Sequence, residues 1–119
     1  MNLSSSILEK DGVAVLALEG RFDAYEEPQV RKWLDAQQAA GHAHLIVDLA
    51  GVNFIDSTAL AALVRGMKLT REAKGDLLLC ALRQPVRVIF ELTRLDRVFP
   101  IFASVDEAVR HFESSAAAA

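Results

Sequence analysis

The feature that most constrains the fold is a series of apolar, strand-like runs separated by segments with helical periodicity. Residues 44–49 and 77–82 are largely apolar throughout, and between them apolar residues recur at the i, i+3, i+4 spacing of a helix. Continuous apolar runs are typical of strands covered on both faces. Strands that alternate with helices build a mostly parallel sheet, so the chain predicts an α/β fold.

The complete pattern predicts the order β-β-α-β-α-β-α-β-α. Two alternating runs, 3–8 and 13–18, flank Asp11-Gly12, which is a strong hairpin-turn signal. Helices are predicted over 24–39 and 57–74, from Gln84, and after a capping box formed by Ser104 and Glu107. We therefore predict a single layer of about five mostly parallel strands, with an antiparallel N-terminal strand, flanked by four helices.

Length and composition indicate one globular domain. The 119 residues are enough for one hydrophobic core, and 52% hydrophobic with 24% charged residues excludes a disordered chain. We expect the domain to span 1–113, followed by a flexible C-terminal tail over 114–119, where four alanines end the chain. No interdomain linker or internal repeat is visible.

Charge and cysteine content argue against several function classes. Sixteen acidic against thirteen basic residues, a formal charge of -3, disfavour nucleic-acid binding. The one cysteine, Cys80, rules out an internal disulfide and a cysteine-based metal cluster, which favours a cytoplasmic location. No signal peptide or apolar run of about 20 residues occurs, so direct membrane insertion is not expected.

Asp56-Ser57-Thr58 is the candidate functional motif. These three polar residues interrupt an apolar stretch at the point where the third strand gives way to the second helix. Free N–H groups and the helix dipole favour negative charge at such a position, so a phosphate on Ser57 would be tolerated there. The competing interpretation is a simple N-cap, which needs only one of these residues.

The second helix carries small residues away from its main apolar stripe. Among them are Ala59, Ala62 and Gly66, and a glycine costs roughly 1 kcal/mol relative to alanine inside a helix. This second face either contacts a partner protein or packs on a neighbouring helix of the same domain. The sequence leaves both interpretations open.

Enzymatic chemistry has little support. A hydrolytic Ser57 would need a nearby base, but His42 and His44 precede the third strand and His111 falls on the last helix. Phosphate-binding glycine motifs are absent, and no histidine or cysteine accompanies the acidic residues near Ser57. We therefore expect no enzyme activity, no cofactor and no metal.

Three segments carry a resemblance to a known family. They are LEGRFD at 18–23, VDLAGVNFIDST at 47–58, and residues 85–101, which end in ELTRLDRVFPI. With them the chain resembles a STAS domain of the anti-sigma factor antagonist (anti-anti-sigma factor) family over nearly its whole length. The one departure is Ala59, where the family usually has glycine.

The resemblance implies a regulatory module that takes part in partner switching. Such domains bind an anti-sigma factor, usually a serine kinase that binds ATP itself, and thereby release a sigma factor. The kinase phosphorylates the serine that maps onto Ser57, and a PP2C-like phosphatase removes the phosphate. By the same mapping, we expect partner contacts at Asp23 and Asp56. The polar motif and the small-residue face of the second helix extend the expected contact surface to Thr58, Ala59, Ala62 and Gly66.

A second function is compatible with the same fold. The chain could be the STAS subunit of a lipid-transport ATPase complex or of a stressosome-like scaffold. In that case the second helix would mediate constitutive assembly and Ser57 would serve only as part of a cap. Neither the pathway nor the oligomeric state follows from the sequence.

Overall fold

The computed structural model describes the backbone of residues 2–8 and 12–118, and the side chains of residues 12–114. Its elements are, in chain order, β1 (Asn2–Leu8), β2 (Val13–Phe22), α1 (Glu27–Ala39), β3 (His44–Ile55), α2 (Ser57–Glu72), β4 (Asp76–Cys80), α3 (Gln84–Leu92), β5 (Ile101–Phe102) and α4 (Val105–Ala118), with a 3-10 turn at Leu95–Arg97.

Strands β2, β3, β4 and β5 form a parallel sheet in sequential order. This parallel sheet and the four helices confirm the predicted α/β class. Strand β1 pairs antiparallel with β2, with Leu3 opposite Leu18. The turn predicted at Asp11-Gly12 cannot be compared in full, because Asp11 lies outside the described residues.

The sheet is covered differently on its two faces. Alternate residues of β2, β3 and β4 point to one face, where the main core packs them against α1, α2 and α3. The opposite face packs against α4, which contributes Ala108 and Phe112 to a smaller core. Because every strand has a period of two, one central strand supplies both cores, which explains its continuous apolar sequence.

Strand β3 is longer than the sequence predicted. The prediction ended it at Leu49, whereas the strand continues to Ile55 and stays paired with β2. Gly51 permits this close pairing at a register shift, since a Cβ atom there would lie 2.8 Å from the Leu18 carbonyl oxygen. The extension carries the strand directly to Asp56.

The last third of the chain differs in detail from the prediction. The sequence predicts the final strand over 98–102, whereas the observed strand contains only Ile101 and Phe102, because a 3-10 turn at Leu95–Arg97 precedes it. Ser104 Oγ accepts from the Glu107 N–H at 3.2 Å as predicted, but the Glu107 carboxylate accepts from the Ala103 N–H instead of the cap residue's own.

The end of the chain continues a helix. Helix α4 runs through Ala118, so the backbone is helical over most of 114–119, where the sequence indicated a tail. The domain boundary at residue 113 and the flexibility of this tail stay predictions. None of the helices in the described part of the chain has the length and apolarity needed to cross a membrane.

Candidate functional site

Ser57 and Thr58 are the first two residues of α2, and both are exposed. Asp56 is the single residue between the end of β3 and the start of this helix. No hydrogen bond of the Ser57 hydroxyl group occurs within the described residues. The hydroxyl group therefore lies uncovered at a helix end where free N–H groups favour added negative charge.

Asp56 uses both oxygens of its carboxylate to hold the backbone. Oδ1 accepts from the Ala59 N–H at 3.0 Å and thereby caps α2, while Oδ2 accepts from the Ala24 N–H at 2.9 Å. Asp56 also donates its own N–H to the Phe22 carbonyl oxygen at 3.3 Å. Asp56 thus joins the loop after β2 to the first turn of α2, which is a positioning role.

Asp23 lies at the same edge of the sheet and organises its own loop. Its Oδ1 accepts from the N–H groups of Tyr25 at 3.1 Å and Glu26 at 3.2 Å, which forms an Asx turn before α1. The structure therefore brings the loop of Asp23 against Asp56 through Ala24, at the edge where the carboxyl ends of the parallel strands meet. Whether Asp23 contacts a partner stays a prediction.

Three of the predicted partner contacts are corrected. Ala59, Ala62 and Gly66 are buried in the domain, so they do not line an accessible surface. A Cβ atom on Gly66 would lie 2.9 Å from Leu34 Cδ1 and 3.2 Å from Leu77 Cδ1, so the close approach that this glycine permits is internal. The core-facing side of α2 thus includes the small residues that the sequence placed away from the main apolar stripe, and their size lets the helix pack tightly on α1 and the sheet.

The burial of Ala59 also bears on the departure from the family pattern. Ala59 is fully buried, so its methyl group points into the core and away from any molecule that approaches Ser57. The extra carbon relative to glycine therefore does not obstruct access to the serine hydroxyl group.

The sequence analysis missed an aromatic and basic group near the site. Tyr25 is 87% exposed in the loop that Asp23 organises, and Phe54 is 36% exposed on the β3 extension. Arg21, opposite Phe54 in the β2–β3 pairing, places its guanidinium carbon 3.9 Å from the centre of that ring. Exposed aromatic and arginine side chains are typical of binding hot spots. The isolated Tyr25 in a polar loop was the available signal.

The histidines do not serve Ser57. His42 contacts Gln37 through Nδ1 at 2.6 Å, and His44 stacks on Phe112 with ring centres 4.6 Å apart. His111 lies against Phe102 on α4. A hydrolytic serine needs a base within hydrogen-bond reach. All three histidines have other neighbours, which argues against hydrolysis.

Cys80 is an unreactive core residue. It is fully buried at the end of β4. Burial, together with the nearby charge of Asp48, raises the pKa of the Cys80 thiol to about 12. Because the thiolate is the nucleophilic form, this buried thiol is a poor nucleophile at neutral pH.

Removal of the Asp56 carboxylate tests its positioning role. We expect Asp56→Ala to lower the free energy of unfolding by about 1–2 kcal/mol, since a helix cap is lost and the Ala24 N–H loses its acceptor. Asp56→Asn keeps one acceptor oxygen and should lose less. Urea unfolding at neutral pH measures both variants. Equal stability of Asp56→Ala and the wild type would contradict the role of Asp56 in joining the loop after β2 to the first turn of α2.

Comparison with known proteins places this geometry in a family. The family model for the STAS domain matches residues 4–108. An anti-sigma-B factor antagonist of Listeria monocytogenes is 32% identical over 102 residues, covering 85% of this chain and 90% of that protein.

Solved structures have the same fold. An anti-sigma factor antagonist from Mycobacterium paratuberculosis superposes with a TM-score of 0.80 at 25% identity, covering 92% of this chain and 93% of that one. The Bacillus cell fate determinant SpoIIAA in its phosphorylated form superposes with a TM-score of 0.75 at 18% identity, covering 93% and 99%. The chain therefore belongs to the STAS domain family, among its anti-sigma factor antagonists.

Proposed function

We propose that this chain binds an anti-sigma factor that is a serine kinase, and that phosphorylation of Ser57 ends the binding. The kinase supplies the ATP site, and the STAS domain supplies the acceptor and a docking surface around it. Binding of the unphosphorylated domain sequesters the kinase in the cytoplasm and releases a sigma factor. A PP2C-like phosphatase then restores the unphosphorylated form.

One observation supports the proposal most strongly: the Ser57 hydroxyl group is exposed at the first turn of α2, while its neighbour Asp56 is fully engaged with the backbone. A phosphate can therefore be added without breaking a bond that holds the fold. SpoIIAA, which has the same fold, has been solved in both the unphosphorylated and the phosphorylated form.

Electrostatics favours release of the partner over unfolding of the domain. A phosphate adds about -1.5 to -2 charges, and at a helix start it gains roughly 0.3–2 kcal/mol. A partner carboxylate about 4 Å away would be repelled by about 4 kcal/mol per charge pair at a surface-like dielectric. The repulsion exceeds the local gain, so the phosphorylated domain stays folded and dissociates.

Phosphorylation by purified kinases tests the proposal. Serine kinases of the histidine-kinase fold, encoded in the same genome, are incubated with the domain and ATP, and the modified residue is located by peptide mass spectrometry. At least one kinase should bind the domain and place a single phosphate on Ser57. Ser57→Ala should abolish the modification, and Thr58→Ala should not. If every kinase leaves the domain unbound and unmodified, the proposal is wrong.

Constitutive assembly in a transport complex or scaffold has less support. That function would use the small residues of α2 as a permanent interface. Ala59, Ala62 and Gly66 are instead buried inside the domain, where they pack against its own residues. Detection of a phosphate on Ser57 would favour the switch over constitutive assembly, because Ser57 has no regulatory role in a scaffold.

A further inference from the structure

Strand β1 forms an open edge of the sheet. The strand order runs from β1 to β5, so β1 pairs with β2 on one side, and no strand of the described backbone lies on its other side. The opposite edge strand, β5, contains only Ile101 and Phe102 and offers little backbone for pairing. β1 has seven residues, so it presents a row of outward N–H and C=O groups with which another strand can pair.

The sequence of β1 lacks the features that protect an edge strand from pairing. Natural edge strands carry charges, proline or bulges, or they stay very short. β1 reads NLSSSIL, without a charged residue, proline or glycine. All seven residues pair with β2 in one continuous register, from Asn2 opposite Glu19 to Leu8 opposite Val13. The edge is therefore long, regular and uncharged, which suits it to receive a further strand.

The residue order in β1 indicates which strand it receives. Five consecutive residues read LSSSI, a pattern that is palindromic in residue type about Ser5. When two copies pair antiparallel about Ser5, Leu3 of one copy lies opposite Ile7 of the other. Ser4 of one copy likewise lies opposite Ser6 of the other. Apolar residues thus meet apolar residues and hydroxyl groups meet hydroxyl groups, and no like charges are brought together.

We infer that two copies of this chain associate through antiparallel pairing of their β1 strands, centred on Ser5. The pairing joins two five-stranded sheets into one continuous sheet about a two-fold axis. Because the β1 strands run in opposite directions, the second copy is turned end for end. The two Ser57 residues, each of which follows the carboxyl end of β3, then lie at opposite edges of the joined sheet. Self-association therefore leaves both serines accessible and does not rest on the proposed function.

The size of this interface predicts a weak, reversible dimer. Pairing of a single seven-residue strand is expected to bury less than the roughly 1,200–2,000 Å² of stable complexes. We therefore expect a dissociation constant on the order of 100 µM.

Sedimentation velocity from about 5 µM to about 1 mM protein tests the inference, and the wild type should shift from monomer to dimer over this range. Ser4→Lys combined with Ser6→Lys should weaken the dimer at least tenfold, because each lysine then lies opposite a lysine of the second copy. The matched control combines Gln84→Lys with Leu92→Lys, which makes the same charge change at exposed positions of α3, a helix that contacts β3. It should dimerise within about twofold of the wild type.

A mixture of two variants tests the register itself. Ser4→Glu combined with Ser6→Glu should also stay monomeric by itself, for the same reason of like charges. Mixed with the double lysine variant it should form a dimer at least as tight as that of the wild type, because each lysine then lies opposite a glutamate. This rescue requires that both variants are folded and that they pair antiparallel about Ser5.

Three results would overturn the inference: a wild type that is monomeric at about 1 mM, a dimer that the double lysine variant keeps, or a mixture of two folded variants that stays monomeric. Circular dichroism shows whether the variants are folded. If either is unfolded, amide hydrogen exchange of the wild type decides. Exchange in β1 should slow as the protein concentration rises while exchange in α4 stays constant, and an unchanged rate in β1 would contradict the pairing. None of these measurements uses the kinase, so failure of the proposed function would not alter them.

Discussion

Ser57→Asp should fold normally and bind the anti-sigma kinase between about tenfold and a thousandfold more weakly than the wild type. The aspartate introduces one negative charge at the exposed first turn of α2. Toward the domain this charge is favourable, because it meets the free N–H groups of the helix. Toward a carboxylate of the partner about 4 Å away it costs about 4 kcal/mol, whereas a tenfold loss needs only about 1.4 kcal/mol.

Isothermal titration calorimetry with the purified kinase measures the loss, and thermal unfolding checks the fold. Ser57→Asn is the matched control, because asparagine has the shape of aspartate without its charge. It should bind close to the wild type, and Ser57→Ala should bind without being switched off. Equal affinities of Ser57→Asp and Ser57→Asn would show that charge at this position does not govern release.

Gly75→Ala should destabilise the domain by about 3 kcal/mol or more, the largest effect on stability that we predict for a single added methyl group. Gly75 lies in the turn between α2 and β4, where its N–H donates to the Thr70 carbonyl oxygen at 2.8 Å. A Cβ atom there would lie 1.9 Å from the Ala43 carbonyl oxygen and 2.5 Å from its carbonyl carbon. These are backbone atoms, so the clash cannot be relieved by a rotamer change.

Gly66→Ala is the matched control, since it adds the same methyl group to α2. Its Cβ atom would meet Leu34 Cδ1 at 2.9 Å, which is the movable end of a side chain, and alanine gains roughly 1 kcal/mol of helix propensity. We expect this variant to stay within about 1 kcal/mol of the wild type. Urea unfolding monitored by circular dichroism compares the two. Similar stabilities of Gly75→Ala and Gly66→Ala would contradict the backbone clash.

The position of the candidate site followed from the sequence because two independent rules agree on it. The carboxyl ends of parallel strands meet at one edge, and the structure brings the loop of Asp23 against Asp56 at that edge. Polar residues with capping propensity, directly after an apolar strand, marked the start of α2. The capping rule depends on residues that are close together in the chain, and the parallel order of the strands, which follows from their alternation with helices, brings the strand ends to one edge.

The accessible face of α2 did not follow from the sequence. Alanine and glycine pack equally well in a core or under a partner, so residue type left both interpretations of Ala59, Ala62 and Gly66 open, and only the structure shows that they pack inside the domain. The rotation of the helix was decided by Leu34 and Leu77, which fill the space that Gly66 leaves open. The continuation of β3 to Ile55 did not follow from the sequence either, because the segment of β2 with which it pairs is distant in the chain.

The sequence by itself determined the α/β class, the alternation of strands and helices, and the placement of Ser57 at a helix start. These properties depend on local periodicity and on helix capping, which involve residues only a few positions apart. Only the tertiary structure decided which side of α2 is exposed, that Asp56 binds the Ala24 N–H, and that Arg21 covers Phe54. Those features join residues that are about 30 positions apart, and only packing in three dimensions selects among the possible contacts.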